Sequence, residues 1–129
     1  MTGPARIEPA RSFDEIKIGT LALQTHAMKE PLNNIINDSK PVLIDFFAEW
    51  CGPCKVQAPI LKEVKTEIGE QVRIIKIDVD RSPAIAQQYA VSGVPTLILF
   101  VKGQPVWRQS GVANRMQLID VIRQYAPTM

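Results

Sequence analysis

Both cysteines of the chain lie in one run, Ala48-Glu49-Trp50-Cys51-Gly52-Pro53-Cys54-Lys55. Two thiols at this spacing suit a dithiol that cycles with a disulfide. The chemistry requires one acidic, exposed thiolate and a second thiol within reach to resolve a mixed disulfide. An apolar run, Val42-Leu43-Ile44-Asp45-Phe46-Phe47, precedes the pair and reads as a buried strand, so the cysteines fall where a strand hands over to a helix. At a helix start, unpaired backbone N–H groups and the helix dipole favour an anion. Cys51, at or just before the first turn, is thereby the expected nucleophile. Cys54, one turn on and pointing inward, is the expected resolving thiol, less acidic and less exposed. Gly52 gives the backbone room and Pro53 presets φ for a helix start.

Zinc is the rival use of paired cysteines, but a structural zinc site wants four ligands. The chain offers two cysteines and one histidine, His26, far off in sequence, so no metal site is expected and His26 reads as a surface or strand-end residue. Asp45 is the second chemical candidate. A charge inside an apolar strand is costly unless paired, and desolvation raises a carboxyl pKa toward the range of a general base. From spacing alone, a base and an aspartate on the solvated face of an edge strand are equally open. Lys76, in Ile74-Ile75-Lys76-Ile77, is a similar intruder that could pair with Asp45 or simply be an exposed strand lysine.

Around these residues the chain is ordinary for a water-soluble protein. It has 129 residues, 46% hydrophobic and 22% charged, with 15 basic and 13 acidic side chains interspersed. One domain is the economical reading. No basic stripe suggests nucleic acid, and no stretch approaches the roughly 18 to 20 apolar residues needed to span a bilayer. The N-terminus lacks the pattern of a secretory signal, so a cytoplasmic location is expected, where a lone C-x-x-C is catalytic rather than structural. Residues 1–18 read as a flexible arm and 19–129 as the domain. Ser12 and Glu15 have capping-box spacing, which suggests one helical turn over Phe13 to Lys17.

From Thr20 the pattern alternates. Leu21 to Thr25 is a short candidate strand, and Leu32, Ile35 and Ile36 have helical spacing. The strand Val42 to Ala48 is followed by a helix from about Cys54 to Ile68, with Pro59 expected to kink it and Gly69 to stop it. Val72 to Val79 returns as a strand, Ser82-Pro83 caps a short helix through Tyr89, and Thr96 to Val101 turns at Lys102-Gly103-Gln104 into Val106 to Ser110. A last helix starts at Asn114, with Gln117 three residues on. The order β-α-β-α-β-α-β-β-α predicts an α/β fold, a mixed sheet with helices on both faces and a closing antiparallel hairpin.

Trp50-Cys51-Gly52-Pro53-Cys54-Lys55, with Asp45 six residues before the first cysteine, resembles the thioredoxin family. Pro59 matches the family's helix-kinking proline, Lys76 its strand lysine, Val94-Pro95-Thr96 its cis-proline segment, and Gly111 the glycine after its last strand. The match runs in order over residues 20 to 127. The resemblance implies a thioredoxin fold with a central mixed sheet of about five strands flanked by four helices. It implies a buried Asp45 acting as general base on Cys54, with Lys76 beside it. It also implies a cis Val94–Pro95 bond, with the backbone of Val94 pairing with an extended substrate. Trp50, Gly52, Pro53, Gly93, Val94, Pro95, Gly111 and Val112 would form a flat apolar docking surface.

Phe47 departs from the family, which commonly carries tryptophan there, and the N-terminal arm has no counterpart. By resemblance the function is protein-disulfide reduction by a monomer with no bound cofactor, recharged by thioredoxin reductase with NADPH and FAD acting through that enzyme. Ribonucleotide reductase, peroxiredoxin and methionine sulfoxide reductase are the implied substrates. Two alternatives stand beside it: a dedicated exchanger serving one partner or an exported pathway, and a binding subunit that uses the fold without turnover.

Overall fold

A strand that is apolar at nearly every position needs cover on both faces. The computed structural model of the chain describes residues 7–9, 15–18 and 31–126, and it supplies that cover. In chain order these form β1 (Ile7–Pro9), β2 (Glu15–Ile18), α1 (Leu32–Ile36), β3 (Val42–Phe47) and α2 (Gly52–Ile68). A 3-10 turn (Gly69–Gln71), β4 (Arg73–Asp78), α3 (Pro83–Gln88), β5 (Thr96–Val101), β6 (Gln104–Ser110) and α4 (Arg115–Tyr125) follow. The strands make one mixed sheet in the order β1-β2-β4-β3-β5-β6. β4 runs parallel to both β2 and β3, while the β1–β2, β3–β5 and β5–β6 pairs are antiparallel.

β3 is buried along its whole length, from Val42 to Phe47, because β4 and β5 flank it and helices lie above and below. Side chains alternate between the faces of a strand. Leu43, Ile74, Leu97 and Leu99 pack on one face with Leu61, Val64 and Ile68 of α2 and Leu118, Ile119 and Ile122 of α4. Ile44, Phe46, Ile75, Ile77, Ile98 and Phe100 pack on the other with Ile35 and Ile36 of α1 and Ile85 of α3. By the same parity Asp45 and Lys76 belong to the face that carries α2.

The expected elements from α1 onward are present within a residue or two. The hairpin closes tightly: Val101 pairs with Gln104, and the two residues between them have positive φ, 50° at Lys102 and 83° at Gly103. That is the turn whose twist matches its strands, and glycine adopts its second position without strain. α4 begins as expected, with Asn114 Oδ1 accepting the Gln117 N–H at 2.9 Å. Asn114→Ala should therefore lower stability by about 1 kcal/mol in chemical denaturation; an unchanged midpoint would mean that the cap contributes nothing.

Three expectations change. Glu15 to Lys17 lie in β2 rather than in a helical turn. Glu15-Ile16-Lys17-Ile18 alternates charged and apolar residues, the period of a strand, and that pattern outweighs the capping spacing. The sheet accordingly has six strands where about five were expected, because β1 and β2 lie upstream of residue 19. Ser82 precedes α3 but makes no side-chain cap bond. The strand expected over Leu21 to Thr25, and His26, lie outside the described residues. Among those residues no helix is long and apolar enough to cross a membrane.

Candidate active site

β3 ends at Phe47, and Ala48, Glu49 and Trp50 carry the chain to α2 at the C-terminal edge of a parallel pair of strands, where open α/β sheets place their chemistry. Cys51 is itself the N-cap of α2. Its backbone is extended, and its Sγ accepts the N–H of Cys54 at 3.1 Å. One of the helix's otherwise unpaired donors is thus aimed at the sulfur. Cys51 and Cys54 are joined as a disulfide, with their Cα atoms 5.3 Å apart. In this oxidised form both are buried, Cys51 at 3% and Cys54 at 5% exposure. The exposure contrast expected between them is absent: both cysteines belong to one buried cluster with Phe47 and Ala48, against which Val79 and Val94 pack.

Asp45 is fully buried, two residues before Phe47 and on the α2 side of the sheet. Its cross-strand neighbours are Lys76 on β4 and Leu97 on β5. Lys76 is half-buried, with its Nζ 4.9 Å from the ring centre of Phe47. Phe47 thus touches both Lys76 and the cluster that holds the dithiol.

The residues expected to dock a substrate come from three segments, 50–53, 93–95 and 111–112. Trp50 is 70% exposed and is held from one edge by its indole N–H, which donates to Asp80 Oδ2 at 2.8 Å. Asp80 is in turn set by its own N–H, which donates to the buried Asp78 carboxylate at 2.9 Å. Gly52, Pro53, Gly93 and Gly111 are exposed, Val94 is half-buried, and Val112 is 38% exposed. Pro95 is buried. The Val94–Pro95 bond is cis, and Pro95 O accepts the Gly111 N–H at 2.8 Å, joining two of the segments. Gly111 has φ of 94°, a conformation open to glycine and strained for other residues.

A hollow of about 100 Å³ opens beside the dithiol between Trp50, Val79, Val91, Ser92, Gly93 and Val94. Just before Val91, the chain is held by Arg108 of β6, whose two guanidinium nitrogens donate to Tyr89 O and Ala90 O at 2.6 and 2.7 Å. Sequence reasoning missed Asp80, Val79 and Arg108. For Asp80 and Val79 a signal existed, since both follow the C-terminal end of a parallel strand beside β3. Arg108 carried none. No cluster of three or more potential metal ligands occurs among the described residues.

Comparison with known proteins gives a consistent result. The sequence model of the family described as Thioredoxin matches residues 23–124. The thioredoxin-like protein slr0233 of Synechocystis is 51% identical over 84 residues, covering 65% of this chain and 80% of its own. Thioredoxin of Mycobacterium tuberculosis is 42% identical over 96 residues, covering 74% and 83%. The bifunctional thioredoxin reductase/thioredoxin of Mycobacterium leprae is 41% identical over 96 residues, 74% of this chain and 21% of that longer protein. Among solved structures, a point-mutant thioredoxin from Halobacterium salinarum superposes with a TM-score of 0.73 at 30% identity, covering 95% of this chain and 99% of its own.

Proposed function

The chain belongs to the thioredoxin family and is a thiol–disulfide oxidoreductase; from that premise we propose how its residues divide the work of reducing a protein disulfide. The Cys51 thiolate attacks one sulfur of the substrate disulfide. A bond forms between Cys51 Sγ and that sulfur, the substrate S–S bond breaks, and one substrate thiolate leaves. Asp45 takes the proton of the Cys54 thiol. The Cys54 thiolate then attacks Cys51 Sγ, the mixed disulfide breaks, and the second substrate thiolate leaves. Two electrons have passed to the substrate, and the Cys51–Cys54 disulfide remains. Lys76 stands opposite Asp45 in the β3–β4 register and helps to place its carboxyl group.

The observation that carries this reading is the placement of Cys51 as the cap of α2, where a thiolate gains a backbone donor and the positive end of the dipole. A polypeptide lies against Trp50, Gly52, Pro53, Gly93, Val94, Gly111 and Val112, with the backbone of Val94 pairing with it. Thioredoxin reductase returns two electrons from NADPH through its own flavin. The fusion of both activities in one Mycobacterium leprae protein supports this partner. Peroxiredoxin, ribonucleotide reductase and methionine sulfoxide reductase are the proposed acceptors. The protein serves electron transport and redox homeostasis as a cytoplasmic monomer.

The test is reduction of insulin, driven either by NADPH with a thioredoxin reductase or by dithiothreitol alone. The wild-type protein should accelerate both reactions. Acceleration of neither would remove the reductase reading.

A further inference from the structure

The buried face of α2 is apolar or cysteine at Cys54, Leu61, Val64 and Ile68, but it carries a glutamine at Gln57, which is 0% exposed. A buried amide without partners would cost about 1–3 kcal/mol. Gln57 spends both halves of its amide on one residue: Nε2 donates to Ala113 O at 3.0 Å, and Oε1 accepts the Ala113 N–H at 2.8 Å. Ala113 ends the short connection from β6 to α4, the segment that carries Gly111 and Val112. Other residues hold the same segment on its remaining sides. Gly111 N–H donates to Pro95 O, and Gln109 Nε2 donates to Val112 O at 3.0 Å. Gln117 Nε2 supports Gln109 by donating to its Oε1 at 2.6 Å. Val112, the exposed apolar residue of the segment, is thus suspended between anchored neighbours. The innermost anchor stands one helical turn beyond Cys54 on the same helix face.

We propose that Gln57 is a positioning residue for protein substrates: its amide locks the Gly111–Ala113 segment to the dithiol-bearing helix and presets Val112 against the incoming polypeptide. The inference rests on the reading of Val112 and its neighbours as the docking surface. The physical logic is preorganisation. A segment already fixed relative to the attacking sulfur loses little freedom when the substrate arrives. A small disulfide, which reaches the sulfur without touching the segment, gains nothing from it.

The test compares two substrates in a single turnover. The reduced protein is mixed with insulin or with hydroxyethyl disulfide, and tryptophan fluorescence reports its oxidation. Gln57→Leu keeps the volume and leaves both Ala113 groups unpaired. Gln109→Ala loosens the same segment from outside without touching a buried position. In each variant the second-order rate constant for insulin should fall by about fivefold, while that for hydroxyethyl disulfide stays within about twofold. A purely structural role would lower the melting temperature without changing the ratio of the two constants, and an unchanged ratio overturns the proposal. If Gln57→Leu does not fold, Gln109→Ala decides the matter alone by the same ratio. A wild-type protein that reacts with hydroxyethyl disulfide but not with insulin would instead remove the docking reading itself, before any variant is made.

Discussion

Insulin reduction by Cys51→Ser should fall to the rate seen without protein, a loss of about a thousandfold or more. A hydroxyl at this position has none of the thiolate character that the α2 N-terminus favours, and Cys54 is buried behind it in the first turn. The cap itself survives the change, because serine is a good N-cap. Loss of activity therefore cannot be assigned to loss of the helix, and unaltered circular dichroism should accompany it. The partner variant separates the roles. Cys54→Ser should still attack but should stall, leaving substrate covalently bound through Cys51 and visible by mass spectrometry. If Cys51→Ser were the variant that accumulated the adduct, the assignment of nucleophile and resolving thiol would be reversed.

Asp45→Asn should slow resolution of the mixed disulfide by about a hundredfold near pH 7 while leaving its formation unchanged. Asparagine keeps the shape of the side chain in a fully buried position but accepts no proton. The deficit has a definite pH dependence. As the pH rises beyond the ordinary range of a cysteine thiol, about 8.5, a growing share of the buried Cys54 ionises without a base, and the variant should approach the wild type. The measurement is a double-mixing experiment in which the adduct forms first and its decay is followed at several pH values. Equal decay rates at pH 7 would exclude Asp45 as the base. A deficit that persisted undiminished at high pH would point to packing rather than proton transfer.

Much of the site was legible because its information is local. The apolar run of β3, the cysteines behind it, the proline of the first helical turn and the asparagine at the start of α4 are each read within a few residues. Asp45 was visible as an anomaly, but its environment was not, since burial depends on β4 and β5 closing on either side. The least legible features join distant parts of the chain. Trp50 and Asp80 are 30 residues apart, and Gln57 and Ala113 are 56 apart. Nothing near Gln57 distinguishes a buried amide from a polar residue on the solvated side of the helix. β2 was misread for a different reason. Two local signals conflicted over Glu15 to Lys17, a capping spacing and a strand alternation, and only pairing with β4 decides between them.

The nucleophile serves as the N-cap of its own helix, and this makes the end of α2 sensitive to oxidation state. Most helices begin on an oxygen acceptor whose character never changes. Here the acceptor of the Cys54 N–H alternates between a neutral disulfide sulfur and an anion. Anions accept hydrogen bonds more strongly, so the first turn of α2 is fastened more tightly after reduction than before it. Coupling between two equilibria is reciprocal. Whatever the cap adds to the reduced helix, it subtracts from the protein's tendency to hand its electrons on. A stronger cap would make a sturdier helix and a poorer electron donor. Sulfur, a weak acceptor, keeps the conflict between the two demands small.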